Sequence, residues 1–459
     1  MHIVVIGGGS GGYSAAIHAS HLDASVTLIE KDKLGGTCLN RGCIPTKALI
    51  RSIEVLEETK RADEFGINVE NVKVDFEKIM SRKTRIVQEL VSGIEQLIRI
   101  NRITLKRGEG RILSSNQIQV NGETLAANRI IIATGSAPAK IPVPGVSLPG
   151  VLTTDEILEL KEIPESLLII GGSYVGVELA GIFSALGTRV TILEQLPSIV
   201  PSVDEEMGRL LARNLARQGV SFKTGAKVKE IKKENDILKA ISDTPDGELD
   251  ESGKLILLAT GRYPFTEGLG LQELGVKMTG RAISVNDYLE TNIEGIYAIG
   301  DVLGKSMLAH TAYYEAEVAI ENALGKVRKA DYKVVPSCIF TRPEIASVGL
   351  TEQKARESNI PYRVGKFPFT ANARAKTMSE TDGIVKFICN AETGAVLGVH
   401  IIGPHASDII AEGALAIKMG AEAEDIAQTI HVHPTLSEAT KEASMGLLHG
   451  SIHYGRIRL

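Results

Sequence analysis

The chain has 459 residues and a formal net charge of −5, with 43% apolar and 23% charged residues. So long a chain rarely folds around one core, and this balance is typical of a globular protein with roughly two to four domains. The acidic net charge, the absence of Trp and an aromatic content of 4% argue against a surface that binds nucleic acid or an anionic membrane.

No targeting segment is visible in the sequence. The apolar run "HIVVIGGG" begins at His2 and leaves no room for the basic head of a signal peptide. No apolar run approaches the roughly 18 residues that a membrane span needs. We therefore expect a cytoplasmic protein. In that compartment thiols are kept reduced, so a disulfide is more often catalytic than structural.

The first motif is "IVVIGGGSGGYSAAIHA", which predicts a strand, a glycine turn and a helix of small residues. Gly7, Gly9 and Gly12 fill the G-x-G-x-x-G pattern, which lets a pyrophosphate approach the backbone at the start of a helix. A second predicted strand, "SVTLIE", ends at Glu30, whose carboxylate can accept hydrogen bonds from ribose hydroxyls. Together these elements predict a dinucleotide site.

Next along the chain, "GGTCLNRGC" holds two of the four cysteines, Cys38 and Cys43. Helical residues five apart lie roughly 8–9 Å from each other, whereas a disulfide tolerates about 7 Å between Cα atoms. A bond therefore needs an irregular backbone, for which Gly42 and the helix-starting Pro45 are suited. We interpret the pair as a two-electron relay. A zinc site is the alternative, but a second cysteine pair and clustered histidines are missing.

A second glycine motif, "LLIIGGSYVGVELA", repeats the first at a constant offset of 164 residues. Gly171, Gly176 and Glu194 match the first copy, while Ser173 replaces its middle glycine. The repeat predicts a second dinucleotide, although a decayed duplicate is the alternative. The residues after Glu194, "QLPSIVP", offer no cation for the extra phosphate of NADP, so NAD is favoured.

Three further apolar strands end in polar turns. "RIIIATGSAP" at 129–138 and "LILLATGRYP" at 255–264 each precede an Ala-Thr-Gly turn, and we predict that each closes its own nucleotide domain. "GIYAIGD" at 295–301 places Asp301 after a third strand. This carboxylate either caps a loop or contacts a cofactor.

The segment "GGTCLNRGCIPTKAL" resembles the redox-active disulfide signature of the flavoprotein disulfide reductases. The resemblance extends over essentially the whole chain, through both glycine motifs, "YAIGD", "TRPEIASVG" and "HVHPTLSEA". Within that family, "MLAHTAYYEA", "FPFTANARAKT" and "HIIGPHASDIIAEGALAI" are most similar to the members that oxidise protein-bound dihydrolipoamide.

This resemblance implies an α/β fold with two Rossmann-like dinucleotide-binding domains, a central region and an α+β C-terminal dimerisation domain. The implied boundaries are 1–142 for the FAD domain with its redox disulfide, 143–264 for the NAD domain, 265–334 for the central domain and 335–459 for the interface domain. The implied cofactors are FAD and NAD. The implied partners are a second copy of the chain and lipoyl-bearing carrier proteins of multienzyme complexes.

The resemblance also assigns catalytic roles. Cys38 matches the thiol that exchanges with substrate, and Cys43 matches the thiol beside the flavin. His433 matches the base that activates the substrate thiol in the partner subunit's site, with Glu438 orienting its ring. Lys47 and Glu178 match the lysine and carboxylate beside the reactive nitrogen of the flavin.

The implied cofactor contacts fall into two sets, with two departures from the family pattern at Arg41 and Tyr174. Tyr174 either covers the flavin until nicotinamide displaces it or simply packs. The FAD set is Gly7, Gly9, Gly12, Glu30, Lys31, Gly36, Thr37, Lys47, Gly110, Thr134, Gly135, Asp301 and Ala309. The NAD set is Gly171, Gly172, Ser173, Tyr174, Val175, Gly176, Glu194, Val228, Ala259, Gly261 and Arg262.

Alternative functions remain open at this point. A glutathione reductase would need cations after Glu194, and a mercuric reductase or a high-molecular-weight thioredoxin reductase would need a redox-active C-terminal tail, whereas the chain reads "HYGRIRL" there. Outside catalysis, the chain could act chiefly as an anchoring subunit of a multienzyme complex.

Overall fold

The computed structural model describes residues 1–455, which form two compact units. The first unit consists of 1–141, 152–163 and 260–330, and the second consists of 142–151, 164–259 and the residues from 331 onward. Within the described range, no helix combines the length and apolar character that crossing a membrane requires. The four-domain boundaries expected from the sequence remain a prediction.

The segment 1–141 opens the first unit. Its strands are β1 (His2–Ile6), β2 (Ser25–Glu30), β3 (Thr104–Arg107), β4 (Gly110–Ser114), β5 (Gln117–Val120), β6 (Glu123–Ala126), β7 (Arg129–Ile132) and β8 (Ser136–Pro138). Its α-helices are α1 (Ser10–His21), α2 (Gly36–Arg41), α3 (Cys43–Lys60) and α4 (Phe76–Ile100).

The segment 142–259 belongs mainly to the second unit. Its strands are β9 (Val151–Thr153), β10 (Ser166–Ile170), β11 (Arg189–Glu194), β12 (Ser221–Thr224), β13 (Lys227–Glu234), β14 (Ile237–Thr244), β15 (Gly247–Gly253) and β16 (Leu255–Leu258). Its α-helices are α5 (Tyr174–Ala185) and α6 (Glu205–Arg217).

The segment 260–330 returns to the first unit with β17 (Arg262–Pro264), β18 (Met278–Thr279), β19 (Ala282–Ile283), β20 (Ile296–Ala298) and α7 (Ala309–Ala323). The remaining strands are β21 (Ser337–Ile339), β22 (Glu344–Gly349), β23 (Tyr362–Pro368), β24 (Ile384–Asn390) and β25 (Val396–Gly403). The remaining helices are α8 (Glu352–Glu357), α9 (Ala373–Thr377), α10 (Ala406–Met419), α11 (Ala423–Gln428) and α12 (Glu438–Met445).

Each glycine motif lies at the carboxyl end of a parallel sheet. In the first unit the strand order is β20-β7-β1-β2-β3, and every neighbouring pair is parallel. In the second unit β12-β11-β10-β16 repeat this parallel arrangement. The strands β1, β7, β10 and β16 are apolar runs with almost fully buried side chains, as strands covered on both faces should be. Two Rossmann-like units are therefore confirmed.

The C-terminal part of the second unit is built on an antiparallel sheet in the order β21-β22-β25-β24-β23. Apolar residues of this sheet pack against α10, α11 and α12 in one core that includes Phe367, Phe387, Ile401 and Ala443. This α+β arrangement agrees with the fold predicted for the C-terminal region, and it positions the segment that carries His433.

The strands that precede the two Ala-Thr-Gly turns, β7 and β16, lie in separate parallel sheets, each beside the strand of its own glycine motif. The residues that follow the two turns pair with each other. β8 and β17 form an antiparallel ribbon in the first unit, with Ala137 opposite Tyr263. Thr134 donates its hydroxyl hydrogen to Phe265 O at 2.6 Å, and Thr260 donates to Ala139 O at 2.7 Å. The short length of both strands, three residues each, gave no periodicity from which to predict this pairing.

A buried ion cluster in the second unit centres on Lys386, which is 1% exposed. Its ammonium lies 2.9 Å from Asp204 Oδ1 and 3.1 Å from Glu206 Oε2, and it also pairs with Glu352. Burial raises the pKa of Asp204 and of Glu206, but their contacts with lysines outweigh burial and lower both pKa values overall. The cluster ties β24 to the N-terminal ends of α6 and α8.

Candidate functional site

In the first glycine turn, packing within the protein requires glycine at one position but leaves open space at another. A Cβ on Gly12 would lie 1.8 Å from Gly7 O, so the chain itself requires glycine there. A Cβ on Gly9 would meet only Gly36 Cα at 3.7 Å, which is ordinary contact. Gly9 adopts an extended φ of −73° and precedes α1 without a side-chain cap. The protein therefore gives no steric reason for glycine at position 9, whereas a pyrophosphate at the helix N-terminus does.

The two acidic strand ends are held in the same way. Gly8 N–H donates to Glu30 Oε2 at 2.6 Å, and Gly172 N–H donates to Glu194 Oε2 at 2.7 Å. The other oxygen of each carboxylate accepts a backbone N–H from two residues later in the chain, at 2.7 and 2.8 Å respectively. These bonds fix both carboxylates at the carboxyl edge of their sheets, and each oxygen keeps a lone pair for a ribose hydroxyl.

Ser173 occupies its glycine-like position without backbone strain. Its φ of −87° and ψ of −169° match the extended conformation of Gly9. Ser173 is exposed and makes no side-chain cap bond to α5, so its hydroxyl faces outward at the start of that helix. In this conformation the side chain of Ser173 can either turn away from a pyrophosphate or hydrogen-bond to it.

After the acidic strand end of the second copy, Gln195, Leu196 and Pro197 are exposed and uncharged. Lys223 lies on the neighbouring strand β12, but its ammonium pairs with Glu251 at 3.4 Å. Two features therefore favour NAD over NADP: the carboxylate of Glu194 and the uncharged loop that follows it.

The cysteine pair spans a break between two helices. Cys38 lies within α2, Cys43 is the first residue of α3, and Gly42 between them has φ −144° and ψ −110°. A Cβ on Gly42 would lie 3.0 Å from Thr37 O, because the chain folds back on itself. Pro45 lies in the first turn of α3. The irregular backbone expected between the cysteines is therefore present, and both residues are thiols in this structure.

The two thiols interact directly. The hydrogen bond between Cys38 and Cys43 and the burial of Cys38 raise the pKa of Cys38 far above its ordinary value. The hydroxyl of Ser10 and the charge of Lys47 act in the opposite direction. Cys43 is exposed, and Lys47 follows it by one turn on α3. The structure therefore brings Cys38, Cys43 and Lys47 together.

Arg262 was expected on the NAD side, but its contacts lie among residues expected to bind FAD. Its guanidinium donates to Ser136 Oγ at 2.8 Å and to Thr37 Oγ1 at 3.2 Å. Ser136 in turn donates to Asp301 Oδ2 at 2.5 Å. Burial raises the pKa of Asp301, and the contacts with Ser136 and Arg262 only partly oppose that rise. Ser136 was not among the predicted site residues, although it directly follows an Ala-Thr-Gly turn.

Other expected FAD contacts occupy the same unit. Lys31 lies over the Phe265 ring at 4.2 Å from its centroid and pairs with Glu109 at 3.2 Å. Gly36 starts α2, Gly110 starts β4 and Ala309 starts α7. Gly135 follows β7 in a left-handed conformation, with open space where a side chain would lie. Their roles as FAD contacts remain predictions that this placement supports.

In the second unit the structure brings His433 and Glu438 together. His433 Nδ1 lies 2.9 Å from Glu438 Oε1, and Glu438 Oε2 accepts the Thr435 N–H at 2.8 Å. Burial raises the pKa of Glu438, but the Thr435 and His433 contacts outweigh burial and lower it overall. The His433 side chain is 70% exposed, so its Nε2 is open to a substrate.

The remaining predicted residues of the second unit lie on separate elements. Glu178 is buried on α5 and accepts the Phe340 N–H at 2.9 Å. Tyr174 accepts a hydrogen bond from Ser202 Oγ at 3.2 Å, and Val228 is buried on β13. Among residues 1–455 no group of three or more His, Cys, Asp or Glu side chains is arranged to hold a metal ion.

Residues 1–316 match the sequence family described as pyridine nucleotide-disulphide oxidoreductase, and residues 335–444 match the dimerisation domain of that family. The chain belongs to the pyridine nucleotide-disulphide oxidoreductases. This membership confirms the predicted family and fold class, and it confirms FAD and NAD as the cofactors. The matched dimerisation domain indicates a homodimer.

This oxidoreductase has close relatives along its whole length. It is 42% identical to the mitochondrial dihydrolipoyl dehydrogenase of Pisum sativum, over 98% of this chain and 92% of the relative. It is 41% identical to a dihydrolipoyl dehydrogenase of Bacillus subtilis, over 98% and 99% of the two chains. Among solved structures, LpdA from Mycobacterium tuberculosis superposes with a TM-score of 0.91 at 28% identity, covering 98% of this chain and 100% of that one.

Proposed function

We propose that this oxidoreductase is a dihydrolipoyl dehydrogenase, which oxidises dihydrolipoamide to lipoamide and passes the electrons through FAD to NAD. The observation that carries the proposal is the His433 imidazole held by Glu438 at 2.9 Å, in a chain that also places Cys38 and Cys43 in contact. A dithiol substrate requires both a disulfide to reduce and a base to ionise its thiol. The names and 41–42% identities of full-length relatives support the same assignment.

His433 is the base in this proposal. The carboxylate of Glu438 accepts the hydrogen on Nδ1, which leaves Nε2 free to take a proton from a substrate thiol. The lowered pKa of Glu438 keeps that carboxylate ionised, so it also stabilises the imidazolium that forms. Only the thiolate attacks a disulfide, and His433 therefore starts the exchange.

The exchange conserves atoms and electrons. The substrate thiolate attacks Cys38 Sγ of the oxidised pair, the Cys38–Cys43 bond breaks, and Cys43 leaves as a thiolate. The second substrate thiolate then attacks the substrate sulfur of the mixed disulfide and releases Cys38. The net result is lipoamide and a Cys38/Cys43 dithiol. FAD, when bound, supplies the two-electron chemistry that returns this dithiol to the disulfide and reduces NAD.

The surroundings of Cys43 support its role as the leaving thiolate. Cys43 is the first residue of α3 and hydrogen-bonds to Cys38. A thiolate at the start of α3 is favoured by the helix dipole, and the Lys47 ammonium on the same face adds to that effect.

The substrate arrives on another protein in this proposal. Lipoyl-bearing carrier proteins of 2-oxo acid dehydrogenase or glycine cleavage complexes are the proposed partners, on the strength of the names of the full-length relatives. We also propose a cytoplasmic location, because a redox-active cysteine pair that cycles between thiols and a disulfide suits a reducing compartment.

A steady-state assay of the FAD-loaded dimer with dihydrolipoamide and either NAD or NADP tests the proposal. We expect turnover with dihydrolipoamide and a strong preference for NAD in kcat/KM, because Glu194 repels the extra phosphate of NADP. Glutathione disulfide and Hg²⁺, each with NADPH as the reductant, serve as alternative substrates. Turnover with these and not with dihydrolipoamide would contradict the proposal, and equal kcat/KM for NAD and NADP would contradict the role of Glu194.

A further inference from the structure

The segment 429–437 carries His433. The buried side chain of His431 is one of the contacts that attach this segment to the fold, besides Leu436 against the C-terminal core and Thr435 O, which accepts from Asn372. Ile430 is 92% exposed and Val432 is 74% exposed. The side chain of His431, between them, is only 7% exposed. A histidine this deeply buried beside exposed apolar neighbours is held by specific polar partners.

His431 is fixed at both ring nitrogens. Its Nε2 lies 2.8 Å from Glu412 Oε1, and its Nδ1 lies 3.0 Å from Thr429 O. Both partners are acceptors, so the ring satisfies them together when it carries two protons. The second oxygen of Glu412 accepts the Thr440 hydroxyl hydrogen at 2.6 Å. The Glu412 carboxylate on α10 therefore hydrogen-bonds both to His431 in the segment 429–437 and to Thr440 in α12.

The two residues that contact Glu412 lie on either side of His433 and Glu438 in the sequence. His431 precedes His433 by two residues, and Thr440 follows Glu438 by two residues. The Glu412 carboxylate thus holds both ends of the chain span whose middle forms the His433–Glu438 hydrogen bond. We propose that Glu412 and His431 are positioning residues that set the geometry of His433 without touching the substrate. The inference rests on the proposed function, in which His433 is the base.

The expected size of the effect follows from geometry. A displacement of about 1 Å at a catalytic group costs on the order of 10²-fold in rate, whereas removing the base altogether costs roughly 10²–10⁴-fold. Glu412→Ala should therefore lower dihydrolipoamide turnover by at least about tenfold, and by less than His433→Ala does. Glu412→Gln keeps an acceptor for His431 Nε2, and its amide N–H can donate to the Thr440 hydroxyl, which can itself donate to Ser437 O. This variant should therefore retain most of the activity.

The experiment compares these variants with Asp408→Ala, a matched control one turn earlier on α10 whose carboxylate is exposed. Each FAD-loaded dimer is assayed for dihydrolipoamide oxidation and for NADH oxidation by an artificial acceptor, which bypasses the base. We expect Glu412→Ala to lose only the first activity, Glu412→Gln to recover it, and Asp408→Ala to keep both. Equal loss of both activities in Glu412→Ala would show a merely structural role and overturn the inference.

A double variant sharpens the test. In a His433→Ala background, Glu412→Ala should cause no further loss, because a positioning residue has nothing left to position. The same fold loss in both backgrounds, or no loss in either, would overturn the inference while leaving the proposed function intact. If the wild-type enzyme fails to oxidise dihydrolipoamide, or His433→Ala keeps full turnover, the proposed role of the base fails and the inference fails with it.

Discussion

His433 Nδ1 and Glu438 Oε1 lie 2.9 Å apart, at the two ends of a short turn that leads into α12. The turn also supplies the Thr435 N–H to the second oxygen of Glu438. Two hydrogen bonds therefore fix the carboxylate of Glu438. Because this carboxylate accepts the hydrogen on His433 Nδ1, it favours the tautomer in which Nε2 carries no hydrogen.

Glu438→Gln should lower kcat for dihydrolipoamide by about 10²-fold, because the amide no longer stabilises the imidazolium. NADH oxidation by an artificial acceptor should be unchanged in the same preparation. Both rates are measured on the FAD-loaded dimer. Full retention of dihydrolipoamide turnover would show that Glu438 does not support the base.

Cys43→Ser should abolish dihydrolipoamide oxidation while leaving FAD bound. The reaction needs the disulfide, whereas NADH oxidation by an artificial acceptor needs only the flavin and the nicotinamide. The measurement combines both assays with the ratio of FAD to protein in the purified variant. Loss of FAD from this variant would make the cysteine pair a structural feature of the cofactor site instead.

Gly9→Ala should impair FAD binding, whereas Gly12→Ala should impair folding. The Cβ at position 9 meets only ordinary contacts within the protein, so this variant should fold yet bind FAD at least about tenfold more weakly. The Cβ at position 12 would overlap Gly7 O, so that variant should yield little folded protein. Circular dichroism and FAD content separate the two outcomes. Wild-type FAD affinity in folded Gly9→Ala would contradict the assignment of this turn to the pyrophosphate.

Lys386→Met should destabilise the second unit by about 3–5 kcal/mol at neutral pH, because three carboxylates lose their buried cation. Lys366→Met, which removes a half-exposed partner of Glu206, is the matched control and should cost about 1 kcal/mol or less. Thermal melting of the FAD-loaded protein provides the comparison. An equal loss in the two variants would contradict the account of the cluster.

The same cluster predicts the response to acid. The pKa values of Asp204 and Glu206 are lower in the folded state than in the unfolded state. Their contribution is therefore complete above the unfolded values near pH 4 and is lost as the pH falls through the folded values. The gap in melting temperature between wild type and Lys386→Met should narrow below about pH 4. A difference in melting temperature that grows as the pH falls would contradict this predicted dependence of stability on pH.

The parts of the site that repeat locally were predictable from the sequence. Gly7 and Gly171, with Glu30 and Glu194, recur at one offset, and the structure repeats even the N–H bonds to the two carboxylates. The break between Cys38 and Cys43 followed from glycine and proline chemistry. These features depend on residues within about 25 positions of each other, where periodicity and turn preferences carry information.

The contacts that the sequence did not reveal join distant segments. Ser136 and Arg262 meet because β8 pairs with β17, across 126 residues. Lys386 reaches Asp204 across 182 residues, and a lysine in a strand otherwise reads as solvent-exposed. Such pairings depend on tertiary packing, which no local pattern in a single sequence encodes.

We propose that Cys38 and His433 act together on dihydrolipoamide, with His433 supplied by the partner subunit. Co-refolding a Cys38→Ser chain with a His433→Ala chain tests this claim most directly, with subunit exchange verified separately. Each variant alone should be nearly inactive. Random mixing makes about half of the dimers mixed, and each mixed dimer has one intact site of two, so roughly a quarter of wild-type activity should return. If mixing restores no activity although the subunits have exchanged, His433 serves its own subunit's site and the claim is contradicted.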